Sequence, residues 1–408
     1  MKTSLIKTML LRFVFFLPFS MLGVVAYSRI TAPPAPQIPP SAPLPSPNGF
    51  DAYIAAAQAI LPANPPVDSI NDVQRLTPQQ AAVQYSPQRR QLWIAANATA
   101  WQKMAQAKTL PCRAPNMRGS TTTFAGWAQL RALSFGQYIR TKDAKSSGQW
   151  GKAAELGLDN LEMGINIERG SDLVGSLVGM SFQAVAHYSL EDIPSHLNAT
   201  QAKSATGSLE TLLNNAQPFS QGLTEQKWNM LVSSNDYANS PSQSGFELVG
   251  RLFLPHAMSN MAQMMDDFIA NADKPVGTQT PVTVSDNLIA SFSNIYFDST
   301  NKSLFSDARR KSNLRSLLTR LALRAYRAER GSYPPQLSQL TPTYLKAIPI
   351  DPFGKGEPLR YVVQGDSYTL WSIGPDGVDD KGVSIQPQSP RKRVVASADS
   401  RGDIVTHP

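Results

Sequence analysis

Leu314, Leu317, Leu318, Leu321 and Ala325 recur at the spacing that lines one face of a helix, with Arg320, Arg324 and Arg327 on the opposite face. Gly331 can adopt the left-handed backbone that releases a helix, and Pro334 and Pro335 cannot extend one, so the helix ends near Arg330. Two runs rich in aromatic and β-branched residues follow, Leu359 to Val363 and Tyr368 to Ile373, separated by Gly365-Asp366 in the manner of a short hairpin turn. A two-stranded ribbon is marginal by itself, so this stretch can fold only with the ribbon packed on the helix.

Between helix and ribbon lie Arg330-Gly331-Ser332-Tyr333-Pro334, a leucine-spaced turn (Leu337, Leu340, Tyr344, Leu345) and Asp351-Pro352-Phe353-Gly354; the stretch closes on Gly374-Pro375-Asp376-Gly377-Val378-Asp379-Asp380. In this order, the motifs resemble the C-terminal module of the type II secretion major pseudopilin, over Leu314 to Gln386 only. The resemblance implies a small α+β module with an antiparallel sheet and a calcium-binding terminal loop. On this chain the loop's acids are Asp376, Asp379 and Asp380, which makes them the candidate metal ligands. The family's longer acidic continuation is missing and Lys381 intrudes. Calcium takes six to eight oxygen ligands, several of which clustered carboxylates and turn carbonyls can supply. The alternative is a solvated turn in which Asp and Gly satisfy local backbone groups.

At 408 residues the chain is long enough for two or three folded units. Its net charge of +8 is modest and dispersed, and no helix-turn-helix, zinc-ligand or aromatic-basic pattern accompanies it, so nucleic acid is not an expected partner. Cys112, the single cysteine, excludes an intramolecular disulfide. Lys2, Lys7 and Arg12 followed by an apolar run from Phe13 to Tyr27 predict an export signal, read as an uncleaved anchor rather than a removed signal peptide. The expectation is therefore a bacterial cytoplasmic-membrane protein, single pass, with its bulk outside. The proline-dense stretch from Ala32 to Pro47 reads as an extended spacer holding the folded part off the bilayer.

The middle reads as helical. Asn48 to Leu61 predicts a short helix with Asp51 at its start, and Gln79 to Ala107 one helix or two broken at Pro87. Trp127, Leu130, Ala132 and Phe135 mark one helix; after Ser146-Ser147-Gly148, Trp150, Ala153, Leu158, Leu161 and Ile165 mark a second. This pair is similar to a tetratricopeptide-type hairpin, but a single unit does not make a solenoid, so it is expected inside a larger bundle. Asp172 to Leu190 is apolar nearly all round, hence a core helix, with Gly175 and Gly179 allowing close backbone approach. Met258, Met261, Met264, Met265 and Phe268 read as core filling, Ser233 to Ser244 as a mobile loop, and everything after Pro387 as a disordered basic tail.

The fold class expected is mainly α, a helical bundle with one tetratricopeptide-like hairpin and a small α+β pseudopilin-like module. The units are an anchor over 1–30, a linker over 31–48, a helical domain over 49–300, the module over 301–386 and a tail over 387–408. No catalytic motif is present: His187, His196, His256 and His407 are far apart, and no Gly-x-Ser-x-Gly elbow, Walker loop or dinucleotide fingerprint occurs. Glu155, Glu162 and Glu168 read as surface carboxylates. The whole chain is also similar to bacterial envelope proteins that combine an anchor, a helical middle and a pseudopilin-like end. The expected function is non-catalytic contact with protein partners in the envelope. The alternatives are an accessory part of a type II secretion or pilus-type assembly, and an envelope hydrolase with a site assembled from separated residues.

Overall fold

The computed structural model describes residues 30–34, 36–61, 86–115, 117–119, 124, 126–241, 245–282, 291–386 and 396–408. They form a mainly helical protein with one small antiparallel sheet. Helix α1 (Gly49–Gln58) is capped by the Asn48 side chain, which accepts from the Phe50 N–H, while Asp51 sits in the first turn. Pro87 opens α2 (Pro87–Ala96) instead of breaking a longer helix, because its missing N–H is one the first turn leaves unpaired anyway. Asn97 separates α2 from α3 (Ala98–Lys108).

The expected hairpin is α4 (Trp127–Ser146) and α5 (Trp150–Glu168), turned at Gly148 with φ of 69°. Helix α6 (Leu173–Leu190) starts at Asp172, whose carboxylate accepts from the Gly175 N–H. Gly179 supplies the predicted close approach: a Cβ there would lie 2.6 Å from the Gly164 carbonyl oxygen of α5. Helices α7 (Ala199–Asn214), α8 (Phe219–Asn239) and α9 (Gly245–Asn271) follow. The loop expected from Ser233 is thus helical as far as Asn239, and Met261, Met264, Met265 and Phe268 fill a core with Leu223 and Leu231.

Helix α10 runs from Ser291 to Arg330, starting well before Leu314 and crossing residue 301 without interruption. It ends at Gly331, with φ of 82° and its N–H donating to the Arg327 carbonyl. Strands β1 (Arg360–Gln364) and β2 (Ser367–Ser372) form the predicted hairpin, with Gln364 opposite Ser367 across the two-residue turn. A third strand, β3 (Ile404–Thr406), pairs antiparallel with β2.

Tyr368 and Leu370 of β2 share one apolar core with Leu314, Leu317 and Leu321 of α10, and also with Leu158 and Leu161 of α5 and Leu209 of α7. Helix α10 therefore packs against α6 and α7 as well as β2. These contacts correct the reading of the arginines: Arg320 is buried with its guanidinium at Tyr368 of β2 and so does not lie opposite the leucines, and Arg324 donates to the Leu197 carbonyl at 2.6 Å. Glu168 is likewise buried, because the end of α5 turns its carboxylate toward Gln183 of α6 and Arg310 of α10.

Three further expectations are corrected. No helix among the described residues is long and apolar enough to cross a membrane, and the segment read as the anchor lies outside them; single-pass membrane localisation and membrane attachment are set aside. The proline-dense stretch lies along the bundle and is no free spacer: Ile38 packs with the methionine core, and the Pro39 carbonyl accepts from Arg118 at 2.6 Å. The end of the chain carries β3 and is not a disordered tail, although Arg391, Lys392 and Arg393 lie outside the described residues.

Candidate functional site: the terminal loop and the sheet edge

Asp351 anchors the terminal module. It is fully buried, with Oδ1 accepting from the Phe353 N–H at 3.0 Å and the Ser372 hydroxyl at 2.6 Å, and Oδ2 from the Ile373 N–H at 2.9 Å. The Asp-Pro-Phe-Gly corner is thereby tied to the end of β2, from which the loop of candidate ligands departs. Gly374, with φ of 73°, starts that loop where it crosses the tail; a Cβ there would meet the Gly402 carbonyl oxygen at 2.3 Å. Gly382, with φ of 84°, returns the loop over Thr369 and Trp371 on the sheet's outer face.

Each candidate ligand takes a different partner. Asp376 accepts from the N–H of Val378 at 3.2 Å and of Gly402 at 3.1 Å. Asp379 accepts from the Trp371 indole at 2.9 Å and the Lys381 N–H at 3.0 Å, with the Arg360 guanidinium 3.5 Å from its second oxygen. The Trp371 bond, with the Lys381 amide and Arg360 beyond it, holds the Asp379 carboxyl below the usual carboxylate range. Asp380 contributes its backbone N–H, which donates to Asp403 at 3.3 Å.

Asp403 is the group at the centre of this loop. It is fully buried, accepts from the Gly382 N–H at 2.7 Å, and bonds through its own backbone to Val383 and Ile385. Burial, with Asp379 and Asp380 nearby, pushes its carboxyl up to about 6. The only hint in the sequence is an Asp beside the β-branched Ile404-Val405-Thr406, too short a run to announce a strand.

The carboxylates of Asp376, Asp379 and Asp403 brace the loop through amides and an indole, and the loop acids do not converge on one point. No group of three or more His, Cys, Asp or Glu among the described residues is placed to hold a metal ion. The donor set therefore does not fit a ready calcium cage. The histidines also stay apart: His196 stacks on Trp150 at 3.7 Å, and His256 bonds Thr31 at 3.1 Å.

What the module does present is an edge. In the order β1-β2-β3, β1 has no strand partner on its far side among the described residues. Val362 points outward from β1 and is 44% exposed, while Val378 and Val383 on the overlying loop are 55% and 59% exposed. A free strand edge next to exposed apolar side chains is what an extended segment of another protein needs for strand addition. Compared with known proteins, the chain matches no family model, no curated protein and no solved structure.

Proposed function

We propose that this is a non-catalytic interaction protein, in which a helical bundle containing a tetratricopeptide-like hairpin holds a pseudopilin-like helix-and-sheet module, and that a protein partner pairs with the β1 edge. The observation that carries the reading is the combination of the unpaired β1 edge and exposed Val362, Val378 and Val383 on a module otherwise fixed by Asp351. Strand pairing would supply affinity through backbone hydrogen bonds, and the valines would supply contact area.

The test is a photo-crosslinking amino acid placed at Val362, with Gln88 on the exposed side of α2 as control, in the cells that make the protein. Discrete protein adducts at position 362 and none at 88 are expected. Equal labelling at both positions, or none at 362, would overturn the reading.

A further inference from the structure

A cavity of about 720 Å³ lies between α6, α10 and β3, apart from the strand edge. On α10 its wall includes Arg309, Asn313, Ser316, Leu317 and Arg320, which share one helical face, and Arg310 beside them. Arg320 is 7% exposed and Ser316 2% exposed, yet Arg320 Nε and Ser316 Oγ have no hydrogen-bond partner among the described residues. The Arg320 guanidinium does reach the Tyr368 hydroxyl. Neither Arg309 nor Arg320 is in an ion pair among the described residues, whereas the adjacent Arg310 is held by Asp307 and by Gln183.

A buried guanidinium without a counter-ion is costly, and so is a buried hydroxyl without a partner. An anion seated against both would relieve the two costs together. The remaining walls are mixed: Leu177, Met180, Ile385 and Ile404 offer apolar surface, with Gln183, His187 and Tyr188 among the polar groups beside them. Glu191 and Asp403 also line the cavity, which disfavours a dianion such as a phosphate monoester. The volume falls in the range of small-molecule sites.

We infer that this cavity binds a small aliphatic monocarboxylate, its carboxylate bonded to Arg320 and Ser316 and its chain lying against Leu177, Met180 and Ile404. The site is independent of the proposed strand edge, and either can fail without the other.

Calorimetric titration of the full chain with decanoate, decanol and decylamine tests this. Decanoate is expected to bind one to one, at least about tenfold more tightly than decanol, with no detectable decylamine binding. Arg320→Gln should remove the preference for decanoate. Because that variant disturbs a buried position, Ala184→Trp provides a second arm: Ala184 is exposed and lines the cavity, so the indole should block binding without unfolding the chain. Equal affinity for the three probes, no decanoate binding, or full binding by Ala184→Trp would overturn the inference.

Discussion

Replacing Asp351 by alanine removes three acceptor contacts at once and leaves the Phe353 and Ile373 amides and the Ser372 hydroxyl inside the module without their partner. A hydrogen bond to an ionised group contributes about 1.5–3 kcal/mol, but bonds to one carboxylate are not additive, so the expected loss is about 3–5 kcal/mol. That is a large share of the roughly 5–15 kcal/mol by which a folded domain exceeds its unfolded state. Asp351→Asn keeps the oxygen facing Phe353 and Ser372 but sets an amide donor against the Ile373 N–H, so about 1–3 kcal/mol is expected. Urea denaturation followed by circular dichroism gives both values, and hydrogen exchange at the Ile373 amide localises the loss. An alanine variant within about 1 kcal/mol of the parent would refute the anchoring role.

Leu321→Asp places an unpaired charge in the core shared by α10 and the sheet, at a position 3% exposed, and should unfold the terminal module; an unchanged melting curve would show that the face is misassigned. Burial raises the Glu168 carboxyl from its ordinary 4.5 to about 7, against the opposing pull of Arg310, the Gln183 bond and Lys311 and with Asp307 adding to the rise. The folded state therefore holds that proton more tightly, and stability is fully present below pH 4.5 and lost as pH rises through 7, by on the order of 3 kcal/mol. Glu168→Gln should flatten that part of the pH–stability curve, and a parallel curve would contradict the burial argument. Asp403 acts in the same direction over a lower range, since burial pushes its carboxyl up to about 6. Millimolar calcium should leave the melting temperature unchanged, because Asp376 and Asp379 are engaged by amides and Trp371 and the loop acids do not gather round one point; a clear rise would restore the ion site.

Local signals found the hairpin, the helix end at Gly331 and the core face of α10, because each is written in residues close together in sequence. Long-range neighbours were not legible. The third strand is three residues long and reaches β2 from more than thirty residues away, so no periodicity marks it. Glu168 looked like a surface acid because its burial depends on α6 and α10, which the α5 pattern cannot reveal. The burial of Arg320 is not written near it in sequence, because the groups that cover it, Tyr368 of β2 and the walls contributed by α6 and β3, come from other elements. Of the candidate ligands, the sequence located the loop; the structure shows that its centre is Asp403, supplied by the returning chain.

Helix α10 and the three-stranded sheet form one body with the bundle through a shared core. Hydrogen exchange with residue resolution tests it most directly, by comparing the Leu370 amide with those of Leu321 and Leu161 in the parent and in Leu321→Asp. Matched slow exchange is expected at all three positions in the parent, and accelerated exchange at Leu370 as well as Leu321 in the variant. Fast exchange at Leu370 beside protected Leu321 and Leu161 in the parent would contradict it.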